Sequence, residues 1–394
     1  MTIGRFKSAV PSQNTPSRLP IPLHPLIPIG LRFAGLLWTL GLGLWTIPAW
    51  IDFGRGRDSQ IHFENQRENL YFLEDSERAW HAVFNMGNEY VDYLIVTTTG
   101  DHDDFEKYPP FKGDIALLND TLRIGRSDGD IAEKIMDACE SRGLNFKPTR
   151  QFGMRYIFKR VRPPTQNEGK ENVYQWDPDG LIRKAVAISR LIYPTPIGFE
   201  YSARASFKKG QNEIESIIPG PVNYHGAEAY TQNNKRTWLT DSEVSQLAEL
   251  LSVFLKRENY LPNRFKRALW FFEYSFGIDY LDVRWPLMAT VIEALINTDS
   301  EKTVKQFSVR LAGLAKEVGI NKIDQAYAET IFKEVRSPLV HGQSLISDID
   351  DPKLADMYEQ TELAIRLSLR RMIEDELYAD LFSDDAKIRS KWPL

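Results

Sequence analysis

An arginine and a histidine stand five positions apart in the stretch Glu334-Val335-Arg336-Ser337-Pro338-Leu339-Val340-His341-Gly342. Histidine ordinarily titrates near neutral pH, so His341 can take or give a proton. An arginine fork can hold a phosphate and stabilise charge on a transferring phosphoryl group. Phosphoryl-transfer chemistry uses such parts, and cleavage of RNA by attack of its own 2′-hydroxyl is one reaction they would suit. That reaction needs a base for the attacking oxygen, an acid for the leaving 5′-oxygen and positive charge for the phosphorane. DNA has no 2′-hydroxyl and could not react this way. One histidine can hardly serve as acid and base at once, so two copies related by a dimer axis would complete the set.

Position matters as much as type. Five residues along an unbroken helix place two side chains about 140° apart, so Arg336 and His341 would diverge. Pro338 disfavours α geometry at Ser337 and removes a backbone donor, so a broken helix end is expected there, bringing the pair onto one surface. Glu293 neighbours Ile292 and shares a face with Ala289 and Ile296. A half-buried carboxylate there needs a cationic partner, and Arg336 is the natural candidate. A cap or salt bridge elsewhere stays open for Glu293. The architectural alternative for the pair also stays open, with Arg336 bonded to Glu293 and His341 satisfying helix-end carbonyls.

Spacing alone is a poor guide, because Arg57 and His62 reproduce it just after an apolar stretch. Gly100-Asp101-His102-Asp103-Asp104 gathers three carboxylates and a histidine, yet adjacent loop residues rarely converge on one ion. His81 and His225 have no partner at a useful spacing. No glycine-rich phosphate loop, nucleophile elbow or HExxH motif occurs. With Cys139 the single cysteine, neither a disulfide framework nor a multi-cysteine metal site is available. No metal and no cofactor is expected.

The elements that must position the pair lie in residues 239–394, which read as almost purely helical. Thr240-Asp241-Ser242-Glu243 is a capping-box signal. Val244, Leu247, Leu250, Leu251 and Phe254 form an apolar stripe ending before Pro262. Asn263 to Phe276 carries Phe265, Leu269, Phe272 and Phe276 on a wide apolar face, stopped by Gly277. Trp285 to Ile296 follows, with Pro286 in its first turn. Glu301 to Val318 is closed by Gly319, then come Ile323 to Val335 and a long helix from Pro352 to Leu381. Short connections between such helices make a bundle.

Three runs carry a resemblance: Ala268-Leu269-Trp270-Phe271-Phe272-Glu273, Val291-Ile292-Glu293-Ala294-Leu295-Ile296, and Arg336 to Gly342. Over about residues 240–380 the chain resembles the HEPN superfamily, and within it the Apea-like HEPN group. The resemblance implies an all-α HEPN-like helical bundle that dimerises and joins two copies of an arginine–histidine motif. It further implies a metal-independent endoribonuclease of a defence or toxin system, with Arg336, His341, Glu293 and Ser337 at the site. Ser337 stands where the wider superfamily often has Asn, Asp or His. Other members are non-catalytic RNA-binding or protein-interaction modules, which is the alternative.

Charge bears on the RNA expectation. Residues 242–394 hold 20 Lys and Arg against 25 Asp and Glu, and the whole chain is −5. Phosphate binding would need a local basic patch. Lys256, Arg257, Arg264, Lys266 and Arg267 offer one, and Arg370 and Arg371, with Arg366, offer another. Each could equally be the solvated face of a helix.

Ahead of the bundle, residues 53–238 mix short strand and helix signals and read as a small α/β domain that senses or binds a protein partner. Tyr90 to Thr99, Ile115 to Ile124, Arg155 to Val161 and Gly198 to Phe207 read as strands. Gly129 to Arg142 and Leu181 to Leu191 read as helices. Residues 1–52 begin rich in proline and contain the uncharged run 33–51, just long enough to span a bilayer. Gly35, Gly41, Gly43 and Pro48 interrupt it, and it reads equally as a non-membrane apolar tail. The fold class expected is α+β overall, in a cytoplasmic protein with membrane contact through 33–51 as an open possibility.

Overall fold

The computed structural model describes residues 89–98, 111–119, 121–126, 130–141, 155–162, 177, 179–194, 197–207, 214–224, 239–278, 281–340 and 351–394. Contacts divide the chain into residues 1–59 and 60–394, and every described residue belongs to the second unit. The fold is mixed α+β. Among the described residues no helix is long and apolar enough to cross a membrane, and the run 33–51 lies outside them.

Among the described residues six antiparallel strands form one sheet: β1 Glu89–Thr98, β2 Asp114–Leu118, β3 Leu122–Arg126, β4 Arg155–Arg162, β5 Ile197–Phe207 and β6 Ile214–Tyr224, in the order β2-β3-β4-β1-β5-β6. Tyr90 to Thr99 is β-branched and aromatic, and it becomes the central strand β1. Ile115 to Ile124 is not one strand, as expected from its apolar run, but a hairpin. Asn119 adopts φ +47° and Thr121 N–H donates to the Leu118 carbonyl at 3.0 Å, reversing the chain. The edge strand β6 contains Pro219 and Gly220. An edge tolerates a missing ladder donor, and a Cβ on Gly220 would lie 2.5 Å from Ser202 Oγ, so only glycine lets β6 approach β5 here.

The period-two pleat gives the sheet two different faces. On one, Val91, Tyr93, Ile95, Tyr201, Ala203 and Ala205 pack against Ala132, Ile135, Met136 and Cys139 of helix α1, Asp130–Glu140. On the other, Leu94, Leu122, Ile124 and Phe158 join a cluster that runs through α2, Leu181–Ile192, into the helices beyond residue 239. Arg190 on α2 pairs with Glu273 and stacks on Phe276, and Lys184 pairs with Glu258 at 2.7 Å.

The helices that follow are α3 Asp241–Arg257, α4 Asn263–Ser275, α5 Leu281–Ile296, α6 Thr303–Glu317, α7 Gln325–Thr330, a π-helical turn Ile331–Arg336, α8 Ser337–Val340, α9 Asp351–Glu374, α10 Glu376–Leu381 and α11 Asp385–Lys391. The capping box is present: Glu243 accepts the Thr240 N–H at 2.9 Å. Helix α5 starts at Leu281, so Pro286 lies inside it rather than in its first turn. The long C-terminal helix does not reach Leu381. Asp375 is extended (φ −119°, ψ 111°), and its carboxylate accepts the Tyr378 N–H at 3.0 Å to start α10.

Candidate functional site

Arg336 ends the π-helical turn, and Ser337 follows in right-handed helical geometry (φ −66°, ψ −49°). The helix break expected at Ser337 is therefore absent. Pro338 still cannot donate to the ladder, and its ring crowds the carbonyl four residues back. The backbone answers by widening its register ahead of the proline: Ser337 N–H donates to the Phe332 carbonyl, five residues back. A π turn of this kind keeps the chain helical through Val340 while shifting the side chains that precede it.

That turn aims Arg336 at α5. Its Nη2 and Nε lie 2.9 and 3.1 Å from one oxygen, Oε1, of Glu293, and its guanidinium carbon sits 5.0 Å from the Phe332 ring centre. The expected contact between these two residues is present. Glu293 stands in the last turn of α5, where a carboxylate opposes the helix dipole, so the arginine offsets an unfavourable placement. Both side chains keep about a quarter of their surface (22% and 25%). With Glu293 engaging one edge of the guanidinium, Nη1 has no hydrogen-bond partner among the described residues. Ser337 is half-buried beside it. His341 lies outside the described residues, as do Arg57, His62, His81, the acidic loop at Asp101–Asp104 and His225.

The basic candidates separate into two groups. Arg264 caps the C-terminal end of α5: its guanidinium donates to the carbonyls of Ala294, Leu295 and Asn297 at 3.0, 3.3 and 2.6 Å, and it pairs with Asp385. Arg257 donates to the Ile373 carbonyl at the end of α9. Arg370 bonds Glu374 at 2.9 Å and Gln246 at 3.1 Å, while Arg371 bonds the Glu317 carbonyl at 2.8 Å and stacks on Tyr378. These four, expected either as RNA contacts or as a solvated helix face, tie helices together. Lys256 and Arg267 are exposed and Lys266 is half-buried, and no carboxylate among the described residues pairs with them.

A cluster that sequence reasoning missed lies nearby. Arg310 of α6 is fully buried, and its Nη1 donates to the Ile296 carbonyl at 2.7 Å, Thr298 Oγ1 at 3.0 Å and Gln306 Oε1 at 2.6 Å. Burial lowers its pKa below the ordinary arginine value, offset in part by Asp299. The spacing Gln306–Arg310, one helical turn, was its only signal in the sequence. It finishes the same helix end that Arg264 caps.

Compared with known proteins, the chain matches no family model, no curated protein and no solved structure.

Proposed function

We propose that the chain is a metal-independent endoribonuclease of the HEPN type, working as a homodimer through its helical region, residues 239–394, while residues 53–238 recruit or sense. The observation that carries this reading is the seating of Arg336. Glu293 fixes one guanidinium edge from a neighbouring helix and leaves the other without a partner among the described residues, at a half-exposed position on a π turn. π turns recur at functional sites. A guanidinium held this way is preorganised for a phosphorane at little reorganisation cost. In the reaction, one His341 takes the proton of the 2′-hydroxyl as its oxygen attacks phosphorus. The bond to the 5′-oxygen breaks, and that oxygen receives a proton from the second copy's His341. The products are a 2′,3′-cyclic phosphate and a 5′-hydroxyl. Ser337 serves as a hydrogen-bonding neighbour of the phosphate.

The test incubates the purified full chain with single-stranded RNA, with and without EDTA, beside Arg336→Ala and His341→Ala. Expected are EDTA-resistant cleavage, cyclic-phosphate ends, and a rate at least about 100-fold lower in either variant, the usual scale for a proton-transfer group. Intact RNA with the wild-type dimer overturns the reading, and chelator-sensitive cleavage transfers attention to Asp101–Asp104.

A second reading, a non-catalytic RNA-binding or protein-interaction module of the same architecture, is favoured by one observation. Arg257, Arg264, Arg370 and Arg371 are held by other helices, so these four are less available to a phosphate backbone. In that reading the region dimerises and residues 53–238 hold a protein partner.

A further inference from the structure

Among the described residues the sheet is covered unequally. Helix α1 lies over β5 and β6, and no described helix covers the same face at β2, β3 and β4. There the face opens into a cleft of about 740 Å³. Small-molecule sites commonly have about this size, roughly 300–1,000 Å³.

Two kinds of wall meet in it. Lys112 and Lys159 bring two positive charges, and no carboxylate among the described residues pairs with either; Arg126 borders the cleft at the end of β3, where the register sets it on the face of Ile124. Asp114 is the one acidic side chain among the described lining residues, and Arg123 already holds it, Nε to Oδ2 at 3.0 Å. The cleft is therefore electropositive. Facing this are apolar groups: Ile131 of α1, Phe207 at the end of β5 and Ile214 at the start of β6. Tyr93 sits on the floor directly across from Lys159 in the β1–β4 register. Burial, and then the nearby Asp114 charge, push its hydroxyl pKa up, so it remains a neutral phenol. Gly125 completes the floor and leaves it open, because it places no side chain there.

A ligand that satisfies both walls needs a compact polyanion at one end and a flat, largely apolar body at the other. An inorganic anion would leave the apolar wall wet, and a neutral aromatic would leave the cations unmatched. We propose that this cleft binds a nucleoside phosphate, with Lys112 and Lys159 on the phosphates and Phe207, Ile131 and Ile214 against the base and sugar. The site is separate from Arg336 and does not depend on the ribonuclease reading.

The experiment is calorimetric titration of the full chain with ATP and GTP, with adenosine and inorganic phosphate as separate arms. Saturable binding of a nucleotide is expected, tighter than for adenosine or phosphate alone. Lys159→Glu should weaken it at least about tenfold, the scale of one charge-assisted hydrogen bond. Gly125→Leu fills the floor without altering charge. A Cβ there meets Ile157 Cγ2 at 3.6 Å and Asp114 Oδ1 at 3.7 Å, ordinary contacts, so the fold should survive while binding falls at least about tenfold. Arg336→Ala should leave nucleotide affinity unchanged, which separates failure here from failure of the nuclease proposal. No saturable nucleotide binding at millimolar concentration overturns the inference. So does unchanged affinity in folded Gly125→Leu, phosphate binding as tight as nucleotide, or displacement of nucleotide by a short RNA bound more tightly in the cleft.

Discussion

Lys159 and Arg160 are neighbours on β4, and the pleat sends them to opposite faces of the sheet. Arg160 enters the face closed by α2 and the bundle, where it is buried and pairs with Asp177 at 3.4 Å and with Asp179. Across the strands from it, Asp92 meets Arg204 Nε at 2.8 Å with both side chains essentially inaccessible. Lys159 enters the open face, lines the cleft and has no carboxylate partner among the described residues. The contrast has one physical source. Under helices, an unmatched charge destabilises the fold by several kcal/mol, so the closed face pairs its charges. In a cleft that water can enter, an unmatched charge costs the fold little and remains available to a ligand.

The contrast breaks if the closed face tolerates an orphaned charge. Asp92→Ala leaves Arg204 buried without that carboxylate and should lower stability by about 3–5 kcal/mol, read from urea unfolding. The double variant Asp92→Leu, Arg204→Met should recover most of the loss, because apolar replacements of similar volume remove both desolvation penalties. If the double variant is as unstable as the single, packing rather than charge pairing dominates this face.

The strands and helices were legible where one local rule decided them. β1 announced itself through β-branched and aromatic residues, and α3 through Thr240 and Glu243. Elements set by main-chain register were not legible. The β2–β3 turn rests on Asn119 in a left-handed conformation, inside a run whose side chains read as one strand. β6 is hidden by Pro219, which excludes it from a central strand but not from an edge. Pro338 did signal a disturbance, yet whether the chain breaks or widens into a π turn depends on the packing of Ile331, Phe332 and Val335, all buried. Of the candidate site, the Glu293–Arg336 contact was readable because a half-buried carboxylate on a helix face needs a cationic partner. The cleft was not, since Lys112, Gly125 and Lys159 come from separate stretches that only the strand register brings together.

A smaller effect sharpens the closed face. Burial opposes ionisation of Asp179, but the Arg160 guanidinium outweighs it and holds this carboxyl below its ordinary value. A depressed folded pKa adds stability that is fully present above the unfolded pKa, about 3.9, and lost as pH falls through the lowered one. Asp179 is more than half exposed (57%), so its pairing should contribute no more than about 1 kcal/mol. The stability difference between wild type and Asp179→Asn should therefore be constant near neutrality and shrink below about pH 4. Asp177, whose pKa burial raises, also feels the Asp179 charge, so its contribution differs between the two proteins and the comparison is read below the range in which Asp177 titrates. A gap that grows with acid would reverse the assignment.

Glu293→Gln tests the pair that belongs to neither face. With about a quarter of each side chain exposed (22% and 25%), its loss should lower stability by only about 0.5–1 kcal/mol. Relief of the carboxylate from the C-terminal end of α5 reduces this further. If Arg336 works on RNA, the same variant should reduce cleavage far more than it reduces stability, because the guanidinium loses its fixed edge. Equal losses would make the pair architectural.

The smallest effect belongs to Lys159. Its ammonium has no carboxylate partner among the described residues, so Lys159→Ala removes mainly stem packing and should change stability by no more than about 0.5 kcal/mol. Arg160→Ala, one residue along the same strand, leaves the fully buried Asp177 carboxylate without its cation and should fall in the range of about 3–5 kcal/mol. Measuring both by the same urea titration holds strand, propensity and neighbours almost constant and varies only the face. If the two variants lose equal stability, then Lys159 is paired in solution and the open face is not the phosphate-accepting surface inferred for it. If they differ as expected, adding nucleotide should stabilise the wild type and Arg160→Ala alike but leave Lys159→Ala less protected, since only the open face meets the ligand.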